Sequence, residues 1–205
     1  NLLGQFGHTV LVVEQNDGHG LRPRAGGFDD EAQRVLQSVG LIEAFMQTSN
    51  TMPMGVDDGA AASTSSRNGS DYAYRGFYQP KFEEILRAGL KRFENVSILL
   101  STRCLKITQT VEYVEVDLQE DHGKWEKTEG DEATFVSNPQ GGVRSVRCKF
   151  VVGCDGARSS VRKAMGTRFV DLGFDERWWA TDLKLHDETK LWGVKLPKKR
   201  SNIDL

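Results

Sequence analysis

The run "KFVVGCDGARSSVRKAMG", residues 149–166, places Asp155 directly before Gly156 and two residues after Gly153, at the end of an apolar stretch. An ionised carboxylate accepts hydrogen bonds and donates none, so an acid where a strand leaves a sheet suits the hydroxyls of a ligand. Gly153 and Gly156 let the backbone come close to such a ligand. Ser159 or Ser160 can cap a following helix that carries Val161 and Arg162. An Asp-Gly turn that only joins strand to helix accounts for part of this pattern. The length of Gly-x-Asp-Gly-x-x-Ser-x-Val-Arg favours a ligand-holding role.

Three other stretches carry chemistry of the same kind. Glu14 closes "HTVLVVE". In a Rossmann βαβ unit, an acid at the end of the second strand accepts hydrogen bonds from an adenosine ribose, roughly 20 residues after a glycine fingerprint. Counting back from Glu14 passes Asn1, so that fingerprint is expected to precede this sequence; the plainer reading of Glu14 is a strand-end acid. In "RPRAGGFDDE", Arg24 can set a guanidinium on a phosphate or an adenine face, or the segment is a solvated loop before a helix cap. Gln79, beside Pro80, opens a helix and can hold a phosphate or hydroxyl near its N–H groups; a simple pre-helix turn is the alternative.

These side chains need elements to position them. "HTVLVVE" reads as a buried strand preceded by a helix end that Gly7 stops. "DDEAQRVLQSVGL" spaces Ala32, Val35, Leu36 and Val39 as a helix over about 30–39, with Asp30 as cap and Gly40 at its end. Residues 48–71 are small and polar and predict a long loop. "QPKFEEILRAGLKRF" puts Phe82, Ile85, Leu86, Leu90 and Phe93 on one stripe of a helix that Pro80 begins. Alternation predicts strands near 97–101, 104–109 and 112–119, then a polar, turn-rich excursion, then a buried strand through "VRSVRCKFVVGCD". "RWWATDLKL" predicts a further strand, and "KLPKKRSNIDL" a polar tail.

Composition narrows the function. A net charge of −2 leaves no basic footprint for nucleic acid. Apolar runs such as "TVLVV" fall far short of the roughly 20 residues that span a bilayer. Cys104, Cys148 and Cys154 lack a C-x-x-C pair and the four histidines are scattered, so neither a disulfide framework nor a metal site is expected. Reduced thiols suggest the cytoplasm.

On "VLVVE", "RPRAGGFDDEAQRVLQSVGL", "FYQPKFEEILRAGL", "VVGCDGARSSVRKAMG" and "FDERWWATDLKL" the chain resembles the FAD-dependent aromatic hydroxylases, single-component flavin monooxygenases related to para-hydroxybenzoate hydroxylase. The nearest branch is that of 3-(3-hydroxyphenyl)propionate hydroxylase and phenol hydroxylase. The resemblance covers most of residues 1–185. It implies an α/β fold: a partial Rossmann-like FAD-binding domain (1–47 and 76–170) with part of a β-rich substrate domain or irregular segments (48–75 and 171–205). Glu14 would hold the adenosine ribose of FAD, Arg24 its phosphates, and Gln79 the ribityl and pyrophosphate region. Asp155 and Gly156 would bond FAD and help NAD(P)H dock, and Arg162 would face the groove. The implied reaction passes one atom of O2, through a flavin hydroperoxide, to a small aromatic substrate. The resemblance assigns no catalytic residue and leaves a homodimer open.

The later Gly-Asp motif of the family is not seen, and the sequence after about residue 186 departs from the family pattern, so the chain reads as a fragment lacking both ends. Two rivals stand beside the hydroxylase. One is a related FAD-dependent halogenase, epoxidase or reductase, since one platform serves several reactions. The other is a non-catalytic flavoprotein module.

Overall fold

The structure is a computed structural model that describes residues 1–18, 25–51, 74–127 and 133–174. In chain order it contains α1 (Leu2–Gln5), β1 (Val10–Val13), β2 (Gly27–Phe28), α2 (Asp30–Ser38), α3 (Ile42–Thr48), β3 (Ser49–Thr51) and β4 (Arg75–Phe77). These are followed by α4 (Gln79–Leu90), β5 (Val96–Leu99), β6 (Thr102–Gln109), β7 (Val114–Asp121), β8 (Lys124–Lys127), β9 (Ala133–Val136), β10 (Pro139–Cys148) and α5 (Ser160–Ala164). Residues 1–166 form one compact unit and 167–205 a second.

Apolar β-branched residues make β1 a strand, and it pairs in parallel with β5, Val10 against Val96 through Val13 against Leu99. A parallel pair needs a crossover, and the helices between the two strands supply it. α2 begins at Asp29, whose side chain accepts the Ala32 N–H at 2.9 Å. The cap is thus Asp29 and not the expected Asp30: Asp29 is extended, at φ −77° and ψ −178°, while Asp30 already lies within the helix. Gly40, at φ +67°, ends it with paired bonds from Gly40 N–H to Gln37 O and Leu41 N–H to Leu36 O. That closure turns Leu41 back onto Leu36, and both are buried.

The buried cluster consists of Leu36, Val39, Leu41, Ile42 and Phe45, packed by Phe28, Phe77, Phe82, Ile85 and Leu86. Phe45 is completely buried. Phe28, Phe45, Phe77 and Phe82 all touch one another, their centroids between 4.4 and 5.8 Å apart. They come from β2, α3, β4 and α4, so one aromatic knot joins four elements. Arg75 adds a polar clamp, donating to Ser49 O at 2.6 Å, Ser49 Oγ at 2.8 Å and Met46 O at 3.2 Å. α3 and the three-stranded sheet β2-β4-β3 are elements the sequence pattern did not reveal.

β6, β7 and β10 form an antiparallel sheet in the order β10-β7-β6. The polar excursion between β7 and β10 holds a hairpin, with Trp125 of β8 opposite Phe135 of β9. The expectation of a buried strand through residue 155 is corrected. β10 ends at Cys148, where its partner β7 begins at Val114, and the chain continues through 149–155 without a strand. Phe150 and Val152 are accordingly 85% and 76% exposed. β1 is likewise only half-buried, with Leu11 exposed, because β5 flanks it on one side among the described residues.

Candidate functional site

Glu14 follows β1 directly, and its backbone is locked on both sides: its N–H donates to Leu99 O at 2.9 Å, and its O accepts from Thr102 N–H at 2.9 Å. The side chain is held as firmly. Oε1 accepts the Asn16 backbone N–H at 2.8 Å and Asn16 Nδ2 at 2.6 Å. Among the described residues no donor reaches Oε2. The result is a half-buried carboxylate with one oxygen fixed and one available to a hydroxyl.

Asp155 is turned toward its own helix. Its Oδ1 accepts from Ser159 Oγ at 2.5 Å, and its Oδ2 accepts the N–H of Ser160 at 2.5 Å and of Val161 at 3.2 Å. Ser159 is the cap residue of α5, accepting the Arg162 N–H at 3.0 Å. Gly156, at φ +76°, supplies the left-handed step that brings the carboxylate over the helix start. Partial burial alone would raise the Asp155 pKa, but the bonds from Ser159 and the neighbouring N–H groups outweigh it and hold the pKa below the ordinary value. The side chain is exposed, so a ligand hydroxyl can reach the carboxylate from solvent. Arg162 donates to Ala157 O at 2.7 Å and so braces the same turn.

Gln79 is the first residue of α4, and Tyr78 before it provides no side-chain cap. Its Oε1 accepts the Ala25 N–H at 3.0 Å, and its Nε2 donates to Glu83 Oε1 at 2.9 Å. Two of the sequence motifs thereby meet, since Ala25 is the end of "RPRA". Arg24 itself lies outside the described residues, as does the strand expected through "RWWATDLKL".

Glu14 and Asp155 both border the start of β6. Glu14 bonds Thr102, and Asp155 lies near enough to Cys104 to act on its thiol. Burial pushes the Cys104 pKa up, and the Asp155 and Asp117 carboxylates add to it, so this thiol stays protonated and unreactive at neutral pH. Gln79 bonds Ala25 of the loop and Glu83 of α4. A groove of ≈ 380 Å³ lies between β6 and α5, lined by Cys104, Lys106, Ser160 and Lys163 among others. Among the described residues no cluster of three or more His, Cys, Asp or Glu could hold a metal, and no helix is long and apolar enough to cross a membrane.

A family model described as the FAD binding domain matches residues 1–190. The chain belongs to that family. This FAD binding domain is 31% identical over 191 residues to 3-(3-hydroxy-phenyl)propionate/3-hydroxycinnamic acid hydroxylase of Mycolicibacterium gilvum strain PYR-GCK, covering 89% of this chain and 30% of that protein. It spans, then, about a third of the length of that curated relative. Among solved structures it is similar to p-nitrophenol 4-monooxygenase PnpA of Pseudomonas putida DLL-E4, with a TM-score of 0.61 and 23% identity over 80% of this chain and 39% of that one. It also resembles the Diels-Alderase PyrE3, with a TM-score of 0.57 and 19% identity over 80% of this chain and 31% of that one. At these identities the structural neighbours speak to the fold. Sequence reasoning had singled out Glu14, Gln79 and Asp155 as candidates for holding a cofactor. It passed over Asn16, whose place two residues after the acid lets it bond the Glu14 carboxylate, and Trp125, which bonds Asn16 from far along the chain.

Proposed function

We propose that this FAD binding domain serves a monooxygenase that hydroxylates a small phenolic substrate with NAD(P)H and O2. The observation that carries the cofactor part is Glu14 at the end of β1, with Oε1 fixed by Asn16 and Oε2 open. An acceptor set in that way matches the hydroxyl donors of a ribose. Asp155 would take a hydroxyl of the polyol chain or help the nicotinamide cofactor dock, with Gly156 beside it and Arg162 bracing the turn. Gln79 would reach the pyrophosphate and ribityl region from the positive end of the α4 dipole, and Arg24 would contact the phosphates. The redox chemistry, acceptance of a hydride and activation of O2, is supplied by FAD when bound; the chain's own residues bind and orient it.

Hydroxylation as the reaction is supported by the 31% identity to the Mycolicibacterium hydroxylase. A second reading, a related flavoprotein with different chemistry, is favoured by the likeness in fold to a Diels-Alderase. The three cysteines are all free, which fits a reducing, cytoplasmic setting.

Flavin fluorescence titration tests the cofactor part. Asp155→Ala weakens FAD binding by about tenfold or more, as expected for loss of a charge-assisted hydrogen bond. Ser159→Ala, which removes the α5 cap and leaves the carboxylate, weakens it by about threefold or less. Equal losses in both variants would reduce Asp155 to a helix cap. Product analysis of the full-length protein with a phenol and NAD(P)H separates the reactions: a hydroxylated ring supports the first reading, and cofactor oxidation without ring oxygenation the second.

A further inference from the structure

The β8–β9 hairpin delivers one side chain to the residue that holds the candidate ribose acid. Trp125 Nε1 donates to Asn16 Oδ1 at 2.9 Å, and Asn16 Nδ2 donates to Glu14 Oε1 at 2.6 Å. The sense of this relay is forced. An indole nitrogen only donates and a carboxylate accepts, so the amide between them turns its oxygen to Trp125 and its nitrogen to Glu14. Removing the indole N–H frees the amide to rotate and leaves Glu14 Oε1 held by the Asn16 backbone N–H alone, so the carboxylate can swing about that single bond.

The hairpin is itself fixed by other means. Trp125 packs edge-on against Phe135, with centroids 5.4 Å apart and planes at 70°. The Arg103 guanidinium lies 5.3 Å from the centre of the Phe135 ring. Both ends of the hairpin are bonded to one buried carboxylate, Asp121, through the Gly123 N–H at 2.8 Å and the Asn138 N–H at 2.7 Å. Trp125 is therefore presented to Asn16 by a braced arm, from 109 residues along the chain.

We infer that Trp125 is a positioning residue for the cofactor site, acting through Asn16 to aim the Glu14 carboxylate at the adenosine ribose of FAD. The inference rests on the reading of Glu14 as the ribose acid. A device that holds one carboxylate oxygen and presents the other selects a ligand bringing hydroxyl donors there.

The experiment uses the full-length protein, with FAD and an FAD analogue whose adenosine ribose is 2′,3′-dideoxy, each titrated by flavin fluorescence. Trp125→Phe keeps the ring against Phe135 and deletes only the N–H. It weakens FAD by about three- to tenfold, the range for one part-buried hydrogen bond, and leaves the analogue's affinity unchanged. Asn16→Leu, which breaks the relay at its centre, reproduces that selective loss. Equal weakening of FAD and analogue by both variants makes Trp125 a structural residue and overturns the inference, as does unchanged FAD affinity in Trp125→Phe when Glu14→Ala weakens it. Failure of the underlying reading looks different: Glu14→Ala then leaves the ratio of FAD to analogue affinity where it was.

Discussion

Asp121 shows how one carboxylate comes to hold two sheets together and why it titrates as it does. It is 2% exposed, and it accepts from Ser137 Oγ at 2.5 Å, Asn138 N–H at 2.7 Å, Gly123 N–H at 2.8 Å and Arg103 Nη1 at 3.2 Å. Burial alone would raise its pKa; the bonds from Ser137, Asn138, Arg103 and Gly123 overcome that and lower it from 3.8 to about 2. A carboxylate with a depressed folded pKa binds protons more readily in the unfolded chain, so its contribution to stability is complete above about pH 4 and lost as pH falls toward about 2. Asp121→Ala strands two backbone donors and costs on the order of 3 kcal/mol at neutral pH, read from the urea midpoint. The gap between wild type and variant narrows below pH 4; a gap independent of pH down to 2 would mean the charge contributes nothing. Asp121 attracted no notice in the sequence, where it is one acid in a polar stretch. Glu14 did, because a hydrophobic run announces the strand end it occupies. The Asn16 to Trp125 bond crosses 109 residues, and no local pattern encodes such a meeting.

Elements were legible in proportion to their local signals. α2 and α4 carry an apolar stripe, with Gly40 or Pro80 marking an end, and both form where that pattern places them. α3 is seven residues long and follows Leu41, which provides no side-chain cap, so nothing separates it by pattern from a loop. β2, β3 and β4 have two or three residues each, too few to show alternation. What holds these short pieces is the aromatic knot, a tertiary fact. Phe45→Ala, at the fully buried ring, is expected to cost about 3–5 kcal/mol in chemical denaturation. Phe45→Leu, which conserves most of the volume, costs about 1–2 kcal/mol. Because α4 leads directly from Gln79, the Ala variant also weakens FAD binding more than the Leu variant; equal affinities would show that the knot does not position α4.

At the scale of the molecule, the reading that failed is the instructive one. "KFVV" looked like a buried strand because its residues are apolar and β-branched, but burial needs a neighbour, and a strand's own sequence does not say where its neighbour comes from. Among the described residues no strand pairs with 149–154, and Phe150 and Val152 stand 85% and 76% exposed beside open backbone N–H and C=O groups. An extended apolar edge is a template for pairing with another chain. The 205-residue chain is therefore expected to self-associate as its concentration rises, by way of this segment. Val152→Lys places a solvated charge on the edge and lowers the association measured by sedimentation velocity. Val35→Lys supplies the comparison, since Val35 is also 48% exposed but lies on α2, whose backbone is satisfied within the helix. The expected pattern is loss of association for Val152→Lys alone. Equal loss for both would trace the association to net charge or to general hydrophobicity, and an unassociated wild type at every concentration would show that the exposed run is not a pairing edge.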